Sequence, residues 1–228
     1  TTEPENFPRI PDDKELTLSA NPAYVHITTN NTIFGTQFHR VPAIGQRPLV
    51  ADMSSDFLSR PVDASRYGLI YAGAQKNAGP AGVTVVLLRE SLLRLDAAAQ
   101  ARLPLLLNYR THIDHKSLYN TPPVFPIYVS MLTLRWVKKN GGLKGMQRRN
   151  KTKAAILYNE IDRNPLFKGT AAKEDRSLMN ICFVMDEKYA ALEKDFLKET
   201  EANGMVGLKG HRSVGGLRIS MYNAMEPE

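Results

Sequence analysis

The sequence predicts an α/β protein built as two units, residues 1–144 and a smaller unit over 145–228. Two observations carry this. Short apolar, β-branched runs at 49–52, 69–74 and 83–88 follow one another with turn residues between them, as strands of one sheet do. After residue 145 a strand, an amphipathic helix and another strand succeed each other, the order of a separate small α/β lobe.

Residues 1–19 are rich in Pro and charge and read as irregular chain. Tyr24 to Thr28 is the first strand. Val50-Ala51 then leads into Asp52 at a strand end, and Leu69-Ile70-Tyr71-Ala72 delivers Gln75-Lys76-Asn77 into a turn framed by Gly73, Gly79, Pro80 and Gly82. Val83 to Leu88 is apolar enough for a strand buried on both faces, and Glu90 to Ala101 has helical character. Pro126 suits the first position of a helix that runs to Lys139 and is closed by Gly141-Gly142. Apolar side chains surround that helix from Ile127 to Val137, Trp136 among them, so it reads as buried. A second helix from about Leu143 ends near Asn164-Pro165, with Leu143, Met146, Ala154, Leu157 and Ile161 as its apolar positions. Asn180 to Met185 is a strand, Tyr189 to Asn203 an amphipathic helix stopped by Gly204, and Leu217 to Tyr222 the last strand.

A chain of 228 residues that is 43% hydrophobic can bury a proper core. No apolar run approaches the roughly 20 residues of a membrane span, and the first residues lack a basic-then-apolar signal pattern. The expectation is a soluble cytoplasmic protein with no membrane partner. The lone Cys182 sits in Ile181-Cys182-Phe183-Val184 and reads as a small core residue. The net charge of +7 is spread along the chain, densest at Lys138, Lys139, Lys144, Arg148, Arg149, Lys151 and Lys153. Without interleaved aromatic residues to stack on bases, that cluster reads as the solvated face of the second helix, not a nucleic-acid surface. His112 and His115 stand three apart with no third ligand in view, so no metal is expected. Ser54 and Ser55 lack the nucleophile-elbow pattern of hydrolases.

The chemistry concentrates between Asp52 and Lys76. An amine held at the end of a core strand and partly desolvated loses pKa and becomes nucleophilic toward an aldehyde near neutral pH. A nearby acid could keep a pyridine nitrogen protonated, the partner that pyridoxal phosphate needs as an electron sink. The same residues also fit an ordinary turn lysine and an Asp that caps a turn. Arg218 alternates with Leu217, Ile219 and Met221, which places it on the opposite face of the last strand. There it is either a bidentate carboxylate grip or a surface arginine.

Five ordered blocks then resemble the phosphoserine aminotransferase family, pyridoxal-phosphate enzymes of fold type I among the class-V aminotransferases. They are Asn30-Asn31-Thr32-Ile33, where Asn31 replaces the family's acid; Ala51 to Asp56 with Ser59 to Asp63; Ile70 to Asn77 with Gly79-Pro80-Ala81-Gly82; Asn120-Thr121-Pro122-Pro123; and Gly210-His211-Arg212 through Gly215-Gly216-Leu217-Arg218 to Tyr222-Asn223-Ala224-Met225. Together they span about residue 20 to residue 225. The resemblance implies a partial, mostly parallel large domain followed by a smaller α/β domain. It also implies that the family's N-terminal phosphate loop, stacking aromatic ring and final helix are not in this sequence.

By the same resemblance Lys76 is the Schiff-base lysine and proton carrier, and Asp52 the partner of the cofactor's ring nitrogen. Thr32 and Gln75 hold the cofactor, and Asn120 and Thr121 reach its phosphate across a homodimer. Arg218 takes the substrate carboxylate, while His211 and Arg212 meet the substrate phosphate. The implied reaction moves the amino group of L-glutamate to 3-phosphohydroxypyruvate, giving O-phospho-L-serine and 2-oxoglutarate on the serine route, with a second role in pyridoxine synthesis in some bacterial relatives. The competing readings are another fold-type-I enzyme, such as a serine–glyoxylate aminotransferase or cysteine desulfurase, and a chain that folds without holding the cofactor.

Overall fold

The computed structural model describes residues 7–93 and 97–227. In chain order the strands are β1 (Val25–Thr28), β2 (Asn30–Asn31), β3 (Thr36–Gln37), β4 (Leu49–Asp52), β5 (Leu69–Gly73), β6 (Thr84–Leu88), β7 (Phe167–Gly169), β8 (Asn180–Met185) and β9 (Leu217–Ser220). The α-helices are α1 (Ala97–Ala101), α2 (Tyr109–Asp114), α3 (Val124–Lys139), α4 (Gly142–Arg163) and α5 (Glu193–Ala202).

The first sheet has the order β1-β4-β5-β6. β4 runs parallel to both β1 and β5, and β6 closes the edge antiparallel to β5. Alternation decides what each face does. Leu49, Ala51, Ile70 and Ala72 point into a core with Ile44, Met53 and Tyr67, while Val50, Asp52 and Tyr71 point the other way and stay half-buried. Asp52 ends β4, and its carboxylate accepts the backbone N–H of Ser54 at 2.8 Å, a short turn that stops the strand at the sheet's carboxyl edge.

The second sheet is the antiparallel β7-β8-β9, covered by α4. Ala154, Tyr158 and Ile161 of the helix meet Ile181, Phe183, Met185, Leu217 and Met221. These are the periodic apolar positions expected of α4, with Tyr158 added because its hydroxyl donates to the Ser177 carbonyl at 2.9 Å. Helix α4 runs unbroken through residues 144 and 145, where the sequence suggests a division between units.

A buried polar seam joins the two sheets. Asn30 donates its amide to Ser55 Oγ and to Asn180 Oδ1, both at 2.8 Å, and Leu178 N–H donates to Gln37 Oε1 at 3.0 Å. Between β2 and β3 the chain turns tightly over Asn31, whose Oδ1 accepts the N–H groups of Ile33 and Phe34. Gly35 lies in the left-handed region (φ +76°), and a Cβ there would meet Cys182 Cβ at 2.9 Å, so only glycine lets the turn rest on β8.

Several expectations need correction. β6 is not buried on both faces: Val86 and Leu87 are 37% and 46% exposed, because β6 is an antiparallel edge strand of the sheet. Its apolar, β-branched run reflects strand propensity, which does not require burial. Helix α3 begins at Val124, two residues before Pro126, and buries only Ser130 and Val137, leaving Ile127, Tyr128, Leu132 and Leu134 exposed. Trp136 is half-buried, with the Arg149 guanidinium 5.4 Å from its ring centre. The stretch expected as one helix from Tyr189 divides into a 3₁₀ segment, Glu187–Leu192, and α5. Residues 1–6 of the irregular N-terminal stretch and 94–96 of the stretch from Glu90 to Ala101 lie outside the described residues. Around the latter gap, Glu90–Leu93 is 3₁₀.

Lys153 departs furthest from its sequence reading. It is 3% exposed, and its Nζ donates to the carbonyls of Met221 (3.3 Å) and Tyr222 (2.8 Å) just beyond β9. Burial, with Arg149 acting in the same sense, pushes its pKa down to about 8. The unfolded chain therefore binds more protons between about pH 8 and the ordinary lysine value of 10.5, so stability rises with pH across that window. Compared with Lys153→Met, the native protein should gain urea resistance from pH 7 to pH 9.5. A constant difference between the two would show the amine to be solvated.

Candidate active site

The carboxyl ends of β1, β4 and β5 open into a cleft of about 320 Å³ lined by Thr28, Asn30, Asn31, Thr32, Asp52, Ser54 and Lys76, among others. Ligand clefts of parallel sheets form there because side chains and loops from neighbouring strands converge on one edge. Thr28, Asp52 and Tyr71 stand side by side across the sheet. The Tyr71 hydroxyl shares a 3.0 Å hydrogen bond with His26 Nε2.

Lys76 follows β5 in a turn closed by Ala78 N–H and Gly79 N–H, both donating to the Ala74 carbonyl. It is half-buried. Desolvation pushes its pKa down, the Asp52 carboxylate pulls it up, Arg218 pushes it down again, and Asp56 pulls it up. An amine and an acid therefore share one cleft, and the acid's charge acts on the amine.

Asp56 lies behind that pair and is buried. Burial raises its pKa, while Thr29, Gln37 and Arg60 act in the opposite sense. Thr29 donates its hydroxyl towards both Asp56 and the Asp52 carbonyl, which ties the buried acid to the end of β4.

Arg218 comes up beside the cleft from β9, without being one of its lining residues. Its Nη1 donates to the Thr32 carbonyl at 2.9 Å, which leaves its remaining N–H groups for a ligand. It lines a neighbouring cleft of about 630 Å³ with Ile33, Phe34, Cys182, Gly210 and Leu217. Burial lifts the Cys182 thiol to about 11, which makes it inert packing.

The structure thus brings Thr32, Asp52, Lys76 and Arg218 together. Gln75 is exposed beside Gly73 and is not among the residues lining the cleft of Lys76. Asn120 and Thr121 are exposed on the segment before α3 and line none of the clefts described. His211 and Arg212 sit in the loop that leads into β9, where His211 Nδ1 contacts Ser213 Oγ at 2.7 Å. His112 and His115 engage the carbonyls of Leu106 and Thr111.

Sequence reasoning missed Thr28 and the roles of Ser54 and Ser55. Ser54 Oγ accepts Gly73 N–H at 3.1 Å and so locks β4 to the start of the Lys76 turn. Ser55 Oγ donates to the Asn30 carbonyl. Two consecutive hydroxyls two residues after the strand-end acid were the available signal.

An amine, a carboxylate and a threonine lining one cleft, with an arginine beside it, fit the aldehyde and ring of pyridoxal phosphate. The residues described around this cleft supply no cluster of N–H donors for its phosphate.

The sequence profile of the aminotransferase class-V family matches residues 5–228. The chain is 55% identical over 223 residues to the phosphoserine aminotransferase of Azobacteroides pseudotrichonymphae, covering 98% of this chain and 60% of that protein. Against the phosphoserine aminotransferase of Herpetosiphon aurantiacus it is 54% identical over 229 residues, covering 100% and 62%. The solved phosphoserine aminotransferase of Bacillus circulans subsp. alkalophilus superposes with a TM-score of 0.91 at 48% identity, over 98% of this chain and 61% of that one. An alanine–glyoxylate aminotransferase from Nostoc, 13% identical with a TM-score of 0.70 over 88% and 56%, shares the fold alone. The chain spans about 60% of the length of the curated relatives it matches.

Proposed function

From the premise that this chain belongs to the aminotransferase class-V family, we propose that it performs pyridoxal-phosphate-dependent amino transfer from L-glutamate to 3-phosphohydroxypyruvate, giving O-phospho-L-serine and 2-oxoglutarate. The observation that carries this is a desolvated lysine amine sharing a cleft with a strand-end aspartate, in a chain more than 50% identical to phosphoserine aminotransferases. Other fold-type-I enzymes have weaker support, since the similarity to an alanine–glyoxylate aminotransferase is 13%.

Pyridoxal phosphate, when bound, supplies an electrophilic aldehyde and a cationic ring that accepts electron density from the substrate's α-carbon. The protein's residues would do the rest. Lys76, whose pKa burial lowers, would offer its amine as nucleophile and then carry a proton at the substrate α-carbon. Asp52, fixed by the Ser54 N–H, would favour a positive charge on the ring nitrogen. Thr32 would contribute a hydrogen bond to the cofactor, and the exposed Gln75 would turn toward the cofactor's phosphate. Arg218, braced on the Thr32 carbonyl, grips the α-carboxylate with its free N–H groups.

His211 and Arg212 give the loop before β9 a positive end for the substrate's phosphate. Asn120 and Thr121, exposed and away from the cleft of Lys76, would reach the cofactor phosphate in the site of a partner subunit, so we take the working form to be a homodimer. Within this reading residues 1–144 form the larger, cofactor-binding unit and 145–228 the smaller one. The enzyme would work in the cytoplasm on the serine route, and in pyridoxine synthesis where that pathway exists.

The test compares turnover of 3-phosphohydroxypyruvate with unphosphorylated hydroxypyruvate, glutamate being the donor. Two charge-assisted hydrogen bonds to phosphate predict a preference in kcat/KM of about a hundredfold or more. Equal turnover of the two would refute the assignment.

A further inference from the structure

We propose that Asn223, held by Asn150 of helix α4, is the positioning residue that fixes the Lys76 amine relative to Asp52 and Arg218. The proposal rests on the reading of Lys76 as the working amine, but it concerns how the chain places that amine. Asn223 is 2% exposed and lies just past β9, the strand that carries Arg218. Its three hydrogen bonds reach three different segments. Its backbone N–H donates to Asn77 Oδ1 at 2.9 Å, on the residue next to Lys76. Its Nδ2 donates to the Leu58 carbonyl at 3.0 Å, in the loop that follows Asp52. Its Oδ1 accepts Asn150 Nδ2 at 2.8 Å, and the same nitrogen of Asn150 reaches the Ser59 carbonyl at 3.2 Å.

Asn77, Asn150 and Asn223 are all buried. Placing three carboxamides in an interior is costly unless they are hydrogen-bonded, and an apolar trio of the same size would contribute more through burial alone. What the amides add is direction. Leu58 has φ +61°, so the loop after Asp52 is bent at the point where Asn223 holds it. Lys153 clamps the two preceding carbonyls, Met221 and Tyr222, and Met221 N–H donates to the Met179 carbonyl. The segment 221–223 is therefore fastened to α4, to the start of β8, to the loop of Asp52 and to the loop of Lys76. Few single residues could set the spacing of an acid, an amine and an arginine that arrive from three strands.

If this is so, cutting either link should let the Lys76 turn move outward and gain water. The charged groups that act on the amine, Asp52, Asp56 and Arg218, are not themselves substituted in such variants. The experiment follows acylation of Lys76 by acetic anhydride across pH, read at its own peptide by mass spectrometry, in the full chain dialysed free of cofactor. Asn77→Ala should raise the labelling midpoint by about half a pH unit or more toward the ordinary lysine range, and Asn150→Ala should raise it by less. Ile161→Ala, a core truncation elsewhere on α4, should lower the melting temperature while leaving the midpoint unchanged.

A melting temperature lowered in Asn77→Ala or Asn150→Ala together with the native midpoint would overturn the proposal, since both would then act as ordinary packing changes. Should Asn77→Ala not fold, Asn77→Ser keeps a short acceptor for the Asn223 N–H and should raise the midpoint by a smaller amount; a native midpoint in that variant would overturn the proposal equally. Because the readout needs neither cofactor nor turnover, failure of the transamination reading would leave the measured midpoints unchanged, and failure of this proposal would leave that reading standing.

Discussion

Lys76→Ala is expected to lower amino transfer by at least about 10⁴-fold while leaving the fold intact. The magnitude follows from the loss of both a covalent nucleophile and a proton carrier, the latter alone worth roughly 10² to 10⁴. The fold should survive because Lys76 is half-buried in a turn closed by backbone hydrogen bonds to the Ala74 carbonyl, none of which involves its side chain. Thermal unfolding of the variant should therefore match the native protein within about 1 kcal/mol. Borohydride reduction of the cofactor-loaded native protein should leave the cofactor's mass on the peptide containing Lys76. Label found on another lysine, or full activity in the alanine variant, would remove the central assignment.

Asp52→Asn is expected to reduce kcat by about 10² to 10³, in the range seen when a preorganised electrostatic partner is removed. Asparagine is nearly isosteric, and its side-chain oxygen can still accept the Ser54 N–H, so the turn after β4 should persist. What disappears is the charge. The carboxylate pulls the Lys76 pKa up, so removing it should move the pH midpoint for labelling of Lys76 downward. This shift is opposite in sign to the one expected for Asn77→Ala. The pair of measurements therefore separates a change of charge from a change of position. An Asp52→Asn variant with native kcat and a native midpoint would show that the two groups do not work on the same ligand.

Much of this could be read from the residues. The strands at 49–52, 69–74 and 180–185 were legible because Leu49, Ala51, Ile70 and Ile181 recur where a sheet buries alternate or successive side chains. The end of α4 was legible because Asn164-Pro165 cannot continue a helix. Asp52 and Lys76 stood out because both follow apolar strands directly, which places polar groups at a sheet edge. The exposure of β6 and of α3 was not legible. Val86, Leu87, Ile127 and Leu132 are hydrophobic whether or not anything covers them, and local pattern says nothing about the neighbour.

By itself the sequence determined most of the longer strands and helices and their order, the face on which Arg218 lies, and the placement of Asp52 and Lys76 at the ends of neighbouring strands. These follow from local rules of period, turn chemistry and side-chain identity. Only the tertiary structure decided that Lys153 is buried against the chain beyond β9, that Asn223 joins two loops to helix α4, and that Arg218 braces on Thr32. Each of these depends on which carbonyl or amide a long-range fold brings within hydrogen-bond distance. A lysine on a helix face looks the same in sequence whether water or a backbone carbonyl awaits it.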